Sequence, residues 1–195
     1  MKKFLICSIL VLALASKGMS QSIELETDLN QYFLATQAKD WNKVLDMVNP
    51  RIFSIAPKDM MQQMYSQMES DSGMKFHFSE IKILGYKTEL ILQDTSYVPV
   101  DYSMILNIKL NPEIFKTPEH INMLHQGFEK TYAGQEVQFD QENAQFFIGV
   151  KNTLVASSAK NSNQWFFSEY KANDPLLSKI LPAEVIDRLQ KGWSQ

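Results

Sequence analysis

A change of hydrophobic period near Met74 constrains the fold of this chain more than any other feature. Before it, apolar residues recur at helical spacing; after it, they recur at every second position. The alternation is longest in VPVDYSMILNIKL, where one face holds Val98, Val100, Tyr102, Met104, Leu106, Ile108 and Leu110. A run of this length with a period of two predicts a long β-strand with one buried face. The fold must therefore combine helices with a sheet.

Four helices are predicted, three before this change and one after it. The first has its apolar residues at helical spacing: Leu25, Leu29, Tyr32 and Phe33. The second follows Asp40 as N-cap, the third opens at Pro57, and the fourth runs from about Pro118 to Tyr132 behind the N-cap Thr117. We expect the third helix to direct one stripe of side chains into the core: Met60, Met61, Met64, Tyr65 and Met68.

The strands predict an antiparallel sheet. In KFHFSEIKIL the apolar face changes parity near Ser79 and Glu80, which predicts a β-bulge there. Further strands are expected in TELILQD, over Ala144 to Ala156 and over Gln164 to Tyr170, and helical turns close the chain. The predicted fold class is α+β, a single domain with helices packed on one face of a curved antiparallel sheet.

The first twenty residues are typical of a cleaved signal peptide. Lys2 and Lys3 precede an apolar run from Phe4 to Ala15. This run is shorter than a membrane-spanning helix, which needs about 20 apolar residues. Cleavage fits after Ala15 or after Ser20; we prefer Ser20, which leaves residues 21–195 as the mature domain. The sequence thus predicts an exported protein, periplasmic or extracellular, with no stable membrane anchor.

Removal of this leader changes the chemistry of the chain. Cys7 is its only cysteine, so the mature protein would have no disulfide and no thiolate ligand or nucleophile. The chain has 19 basic and 22 acidic residues, and losing the leader's three lysines leaves 16 basic residues. A net charge of −6 argues against nucleic acid as a partner, since phosphate binding needs a basic face.

Several phrases of the chain resemble a known family. The opening AKDWNKVLDMVNP, the long strands after it, and a WFF strand leading into LPAEVIDRL are similar to small exported bacterial members of the nuclear transport factor 2-like superfamily, or cystatin-like rolls. The resemblance implies a cone-shaped roll in which a ligand enters between sheet and helices. The superfamily includes ketosteroid isomerase-like and polyketide cyclase-like enzymes and also non-enzymatic ligand-binding or assembly domains.

Polar residues at positions where the pattern requires apolar ones are the candidate site. Tyr102 and Asn152 interrupt apolar strand faces, and we expect them to bind a ligand or to stay simply hydrogen-bonded in the core. His125 lies on the apolar stripe of the fourth helix, and Glu129 follows one turn later. A histidine with a carboxylate partner can move protons near neutral pH, so this pair is the candidate catalytic group.

No metal or cofactor is expected. His120 and His125 are five residues apart and point about 140° from each other on a helix, so they cannot share an ion. The methionines of the third helix could bind Cu(I) if their sulfurs were reachable, but core filling is the preferred interpretation.

Three functions remain in order of preference. The first is an exported, soluble, non-catalytic domain that binds a small apolar ligand or a protein partner. The second is an isomerase- or cyclase-like acid–base enzyme of the same fold. The third is a homodimeric assembly module, suggested by the aromatic residues Trp165, Phe166 and Phe167.

Overall fold

The computed structural model describes residues 23–71 and 73–193. The predicted signal peptide and both of its candidate cleavage points lie outside these residues. The described chain is α+β, with helices packed against one open, antiparallel sheet of six strands.

The N-terminal helices begin and end close to where the sequence predicts. Helix α1 covers residues 23–38, α2 covers Trp41–Met47, and α3 covers Lys58–Asp71. A 3-10 helix at Pro50–Ser54 lies between α2 and α3. The carboxylate of Asp40 caps α2 by accepting a hydrogen bond from the backbone N–H of Lys43 at 3.1 Å.

The predicted orientation of α3 is wrong in part. Met60 and Met64 are 60% and 57% exposed, whereas Met61, Tyr65 and Met68 are half-buried. The helix contacts α2 and strand β1, and Tyr65 stacks on Trp41 of α2 with the ring centroids 4.6 Å apart. Met60 and Met64, which were predicted to fill the core, therefore have exposed side chains.

The sheet is built around two long central strands. The six strands are β1 Met74–Tyr86, β2 Leu90–Leu92, β3 Thr95–Leu110, β4 Glu136–Asp140, β5 Gln145–Ala159 and β6 Phe166–Tyr170. Strands β3 and β5 pair along nearly their whole length; β1 and β2 flank β3, and β4 and β6 flank β5. Strand β4 was not predicted, because five residues with only two apolar side chains give too short an alternation.

The predicted bulge in β1 is confirmed. Ser79 pairs with Ile105 and Lys82 pairs with Ser103, so β1 holds one extra residue between them. Glu80 adopts a left-handed conformation, with φ of 50°. The extra residue keeps the apolar side chains before and after it on the same face of the sheet.

Helices cover both faces of the sheet. The face that carries Val100 and Tyr102, here called the inner face, packs against α1 at one end. Helix α4, Pro118–Thr131, packs against the other end of this face around Phe146. The opposite or outer face carries Tyr97 and Val155, which pack against α5, Leu177–Ile180, and α6, Ala183–Gln190. The predicted packing of helices on one face is thus accompanied by a second layer from the C-terminal helices.

The aromatic segment that suggested a dimer interface contributes to the core. Trp165 and Phe167 are each 1% exposed and belong to the cluster beneath α1, while Phe166 is half-buried. The backbone N–H of Trp165 donates to Asp28 of α1 at 2.9 Å, which ties β6 to that helix. A homodimer stays a prediction, and these two rings are not available to form it.

Candidate functional site

The two residues predicted to bind a ligand lie side by side in the middle of the inner face. Tyr102 of β3 pairs directly with Asn152 of β5, between the core beneath α1 and the core beneath α4. Tyr102 is 3% exposed and Asn152 is half-buried. Facing residues on adjacent antiparallel strands have their side chains within contact distance.

Both side chains bind a carboxylate that the sequence analysis missed. Glu169 of β6 lies two residues after Phe167 and shares its face of the sheet. The Tyr102 hydroxyl donates to Glu169 Oε1 at 2.9 Å, and Asn152 Nδ2 donates to Oε2 at 2.7 Å. A signal was present in FFSEY, because the period of two places Glu169 on the apolar face of Phe167.

The surroundings of Glu169 weaken its acidity. Burial raises the pKa of its carboxyl to about 7, and the hydrogen bonds from Tyr102 and Asn152 lower it by a smaller amount. The residue nevertheless keeps solvent-exposed surface, where water screens part of the cost of its charge. The balance of these effects leaves the pKa of the Glu169 carboxyl well above its usual value.

Aromatic rings surround this network. Burial, and next the charge of Glu169, raises the pKa of Tyr32, Tyr65 and Tyr102, so all three hydroxyls stay protonated at neutral pH. The ring of Tyr102 packs on Phe33 of α1, with centroids 5.2 Å apart, and Tyr32 packs on Phe167 at 5.0 Å. These contacts fix the Tyr102 hydroxyl in its position beside Glu169.

A groove of about 980 Å³ opens beside Tyr102 and Asn152. Apolar and aromatic side chains form part of its wall: Leu84, Tyr132, Val150 and Tyr170. The side-chain amide of Gln135 bonds to both the N–H and the C=O of Lys151, at 3.1 and 2.9 Å, and so holds the segment after α4 against β5. The groove has the volume of small-molecule sites in proteins.

The candidate catalytic pair lies elsewhere. His125 and Glu129 face each other on α4, with Nε2 and Oε1 3.7 Å apart, and the imidazole packs edge-on against Phe146 at 5.6 Å. Neither residue lines the groove beside Tyr102. The structure thus brings His125 to Glu129 and Tyr102 to Glu169, and it does not bring the two pairs to one cavity.

Neither a metal-ligand cluster nor a membrane-spanning helix is found in residues 23–71 and 73–193. No group of three or more His, Cys, Asp or Glu side chains there could hold a metal ion. Within the same residues, no helix is long and apolar enough to cross a membrane. Comparison with protein-family models and with curated proteins finds no match to the chain.

Proposed function

We propose that this protein is a non-catalytic domain that binds a small ligand in the groove beside Tyr102 and Asn152. The observation that carries the proposal is that Tyr102 and Asn152, both held in place by hydrogen bonds to Glu169, line a groove of about 980 Å³ whose wall is partly apolar. Small-molecule sites in proteins combine apolar and aromatic side chains with a small number of oriented polar groups, and this groove contains both kinds. We further propose that the protein is exported and belongs to the nuclear transport factor 2-like superfamily.

The hydrogen bonds of Tyr102 and Asn152 favour ligand binding over a catalytic role in which these two side chains donate to a reacting oxygen. An oxyanion hole needs donors that point at the reacting oxygen. The single hydroxyl hydrogen of Tyr102 is directed at Glu169, and one amide hydrogen of Asn152 is directed there too. The network therefore serves to position side chains against a ligand.

The test uses 4-phenylbutanamide, a neutral probe with one ring, one short chain and one polar end. Titration of ¹⁵N-labelled protein should shift the backbone amide signals of groove residues such as Asn152 and Tyr170. Ala133→Trp places a large ring in the groove and should abolish these shifts. Ala183→Trp on α6, on the outer face, is the matched control and should preserve them. Shifts that survive Ala133→Trp, or the absence of any shift at the groove, would contradict the proposal.

A second candidate function is acid–base catalysis by Glu169. A carboxyl whose pKa lies at about 7 can accept and return a proton near neutral pH. The expected chemistry is removal of a proton from the carbon next to a ketone, which matches the isomerase-like enzymes of the resembled superfamily.

Hydrogen–deuterium exchange of 4-phenylbutan-2-one in D₂O tests this second candidate. Catalysis would accelerate exchange at the carbons beside the carbonyl, and Glu169→Gln would remove the acceleration. His125→Ala in the same assay tests the base predicted from the sequence. Exchange at the uncatalysed rate with wild-type protein would leave ligand binding as the function.

A further inference from the structure

Three lysines from separate parts of the chain line the groove. Lys130 belongs to the last turn of α4, Lys151 to β5, and Lys171 follows the end of β6. All three are exposed, and all three line the same cavity as Tyr102 and Asn152. Their positions in the sequence are unrelated, so only the pairing of β5 and β6 and the docking of α4 bring them together.

The three ammonium groups have no carboxylate partner among the described residues. Other lysines of the chain form ion pairs, for example Lys160 with Asp94 at 3.1 Å. No carboxylate within 4.0 Å is found for Lys130, Lys151 or Lys171 in the part of the chain that the structure describes. The groove thus has three lysines and one aspartate in its lining, in a chain with a net charge of −3.

Asp101 lines the groove, Glu169 contacts two of its lining residues, and both carboxylates are bound to other groups. Asp101 forms an ion pair with Lys87 at 3.5 Å and accepts a hydrogen bond from Thr153 at 2.6 Å. Glu169 accepts hydrogen bonds from Tyr102 and Asn152. Neither carboxylate makes an ion pair with the three lysines.

We propose that the groove binds an organic anion, a carboxylate or phosphate carried on an apolar body. This inference deepens the proposed function and rests on it. The anionic group meets Lys130, Lys151 and Lys171, and the apolar body packs on Leu84, Tyr132 and Tyr170. Positive charges on the walls of a cleft concentrate anions there, and the effect is weakened by salt.

A pair of probes that differ in charge tests the proposal. Isothermal titration at low ionic strength compares 4-phenylbutanoate with 4-phenylbutanamide, which share ring and chain. If each exposed lysine contributes roughly two- to threefold, the anion should bind about tenfold more tightly than the amide. Raising the salt concentration should weaken the binding of 4-phenylbutanoate and leave the binding of 4-phenylbutanamide unchanged.

Substitution of the lysines separates their effect from that of net charge. The groove variant carries Lys130→Gln, Lys151→Gln and Lys171→Gln. The control variant changes three lysines outside the groove: Lys43→Gln, Lys75→Gln and Lys179→Gln. We expect the groove variant to bind both probes equally and the control to keep the preference for the anion.

The outcomes distinguish this inference from the function on which it rests. Equal affinity of the two probes for wild-type protein, or a preference that survives in the groove variant, would overturn the anion proposal and leave ligand binding intact. Failure of both probes to bind would overturn ligand binding as well. Cosedimentation with phosphatidylglycerol vesicles, lost in the groove variant, would identify a lipid headgroup as the anion; binding of the probe without cosedimentation would identify a free anion.

Discussion

Glu169→Gln should remove a pH dependence from the stability of the protein. The wild-type carboxyl has its pKa raised by burial from 4.5 to about 7. Between these values the folded state binds more protons than the unfolded state, so the free energy of unfolding falls as the pH rises. The contribution of the protonated Glu169 carboxyl to the free energy of unfolding is complete below the unfolded pKa of 4.5. This contribution is lost as the pH rises through the folded pKa of about 7. Glutamine cannot ionise, and its oxygen can still accept the hydrogen bond from Tyr102.

The size of the effect follows from the distance between the two pKa values. At about 1.4 kcal/mol per pKa unit, the rise from 4.5 to about 7 corresponds to about 3.4 kcal/mol for a fully enclosed carboxyl. Glu169 keeps exposed surface, and water there screens part of the cost of its charge. We therefore expect wild-type protein to lose about 1–2 kcal/mol more than Glu169→Gln between pH 5 and pH 8.

Urea unfolding at pH 5, 6, 7 and 8 measures this difference directly. Subtracting the free energy of unfolding of one protein from that of the other at each pH cancels the contribution of the histidines and the other titrating groups that both proteins share. Glu184→Gln on α6, which removes an exposed carboxylate near Arg188, controls for the change in net charge and should keep the wild-type pH dependence. Parallel curves for wild type and Glu169→Gln, or a difference that grows in the opposite direction, would refute the electrostatic description of Glu169.

Three further predictions concern the site, the core and the bulge. Tyr102→Phe removes a hydrogen-bond donor to Glu169 and should lower the free energy of unfolding in urea by about 1–2 kcal/mol. It should also raise the pKa of the Glu169 carboxyl further, as measured by ¹³C NMR, and an unchanged pKa would contradict this contact. Leu29→Ala should cost about 2–5 kcal/mol because Leu29 is fully buried, whereas Leu34→Ala on the same helix should cost less than about 0.5 kcal/mol; equal losses would contradict the packing of α1. Glu80→Gly should be neutral or stabilise by up to about 1 kcal/mol, since φ there is 50°, and a large loss on thermal unfolding would argue against the bulge.

Local features of this fold were predictable because neighbouring residues determine them. The caps at Asp40 and Thr117 each bond a backbone N–H three residues later. The bulge near Glu80 was visible as a change of parity within one strand. His125 and Glu129 are one helical turn apart, so their proximity also follows from the helix alone.

Features that depend on strand pairing were not predictable from the pattern. Tyr102 and Glu169 are 67 positions apart, and Asn152 and Glu169 are 17 apart. A hydrophobic period states which face a residue occupies and leaves open which strand lies beside it. Glu169 therefore could be placed on the inner face, while its contact with Tyr102 required the order β3, β5, β6.

Periodicity and capping are properties of short segments, so the α+β class, most of the elements and the two polar residues that interrupt the inner face could be predicted from the sequence. The folded chain was needed to show that these two residues bind a shared carboxylate, that Lys130, Lys151 and Lys171 line one groove, and that Met60 stays exposed. Those outcomes depend on which elements pack together, and packing is settled by the whole chain at once.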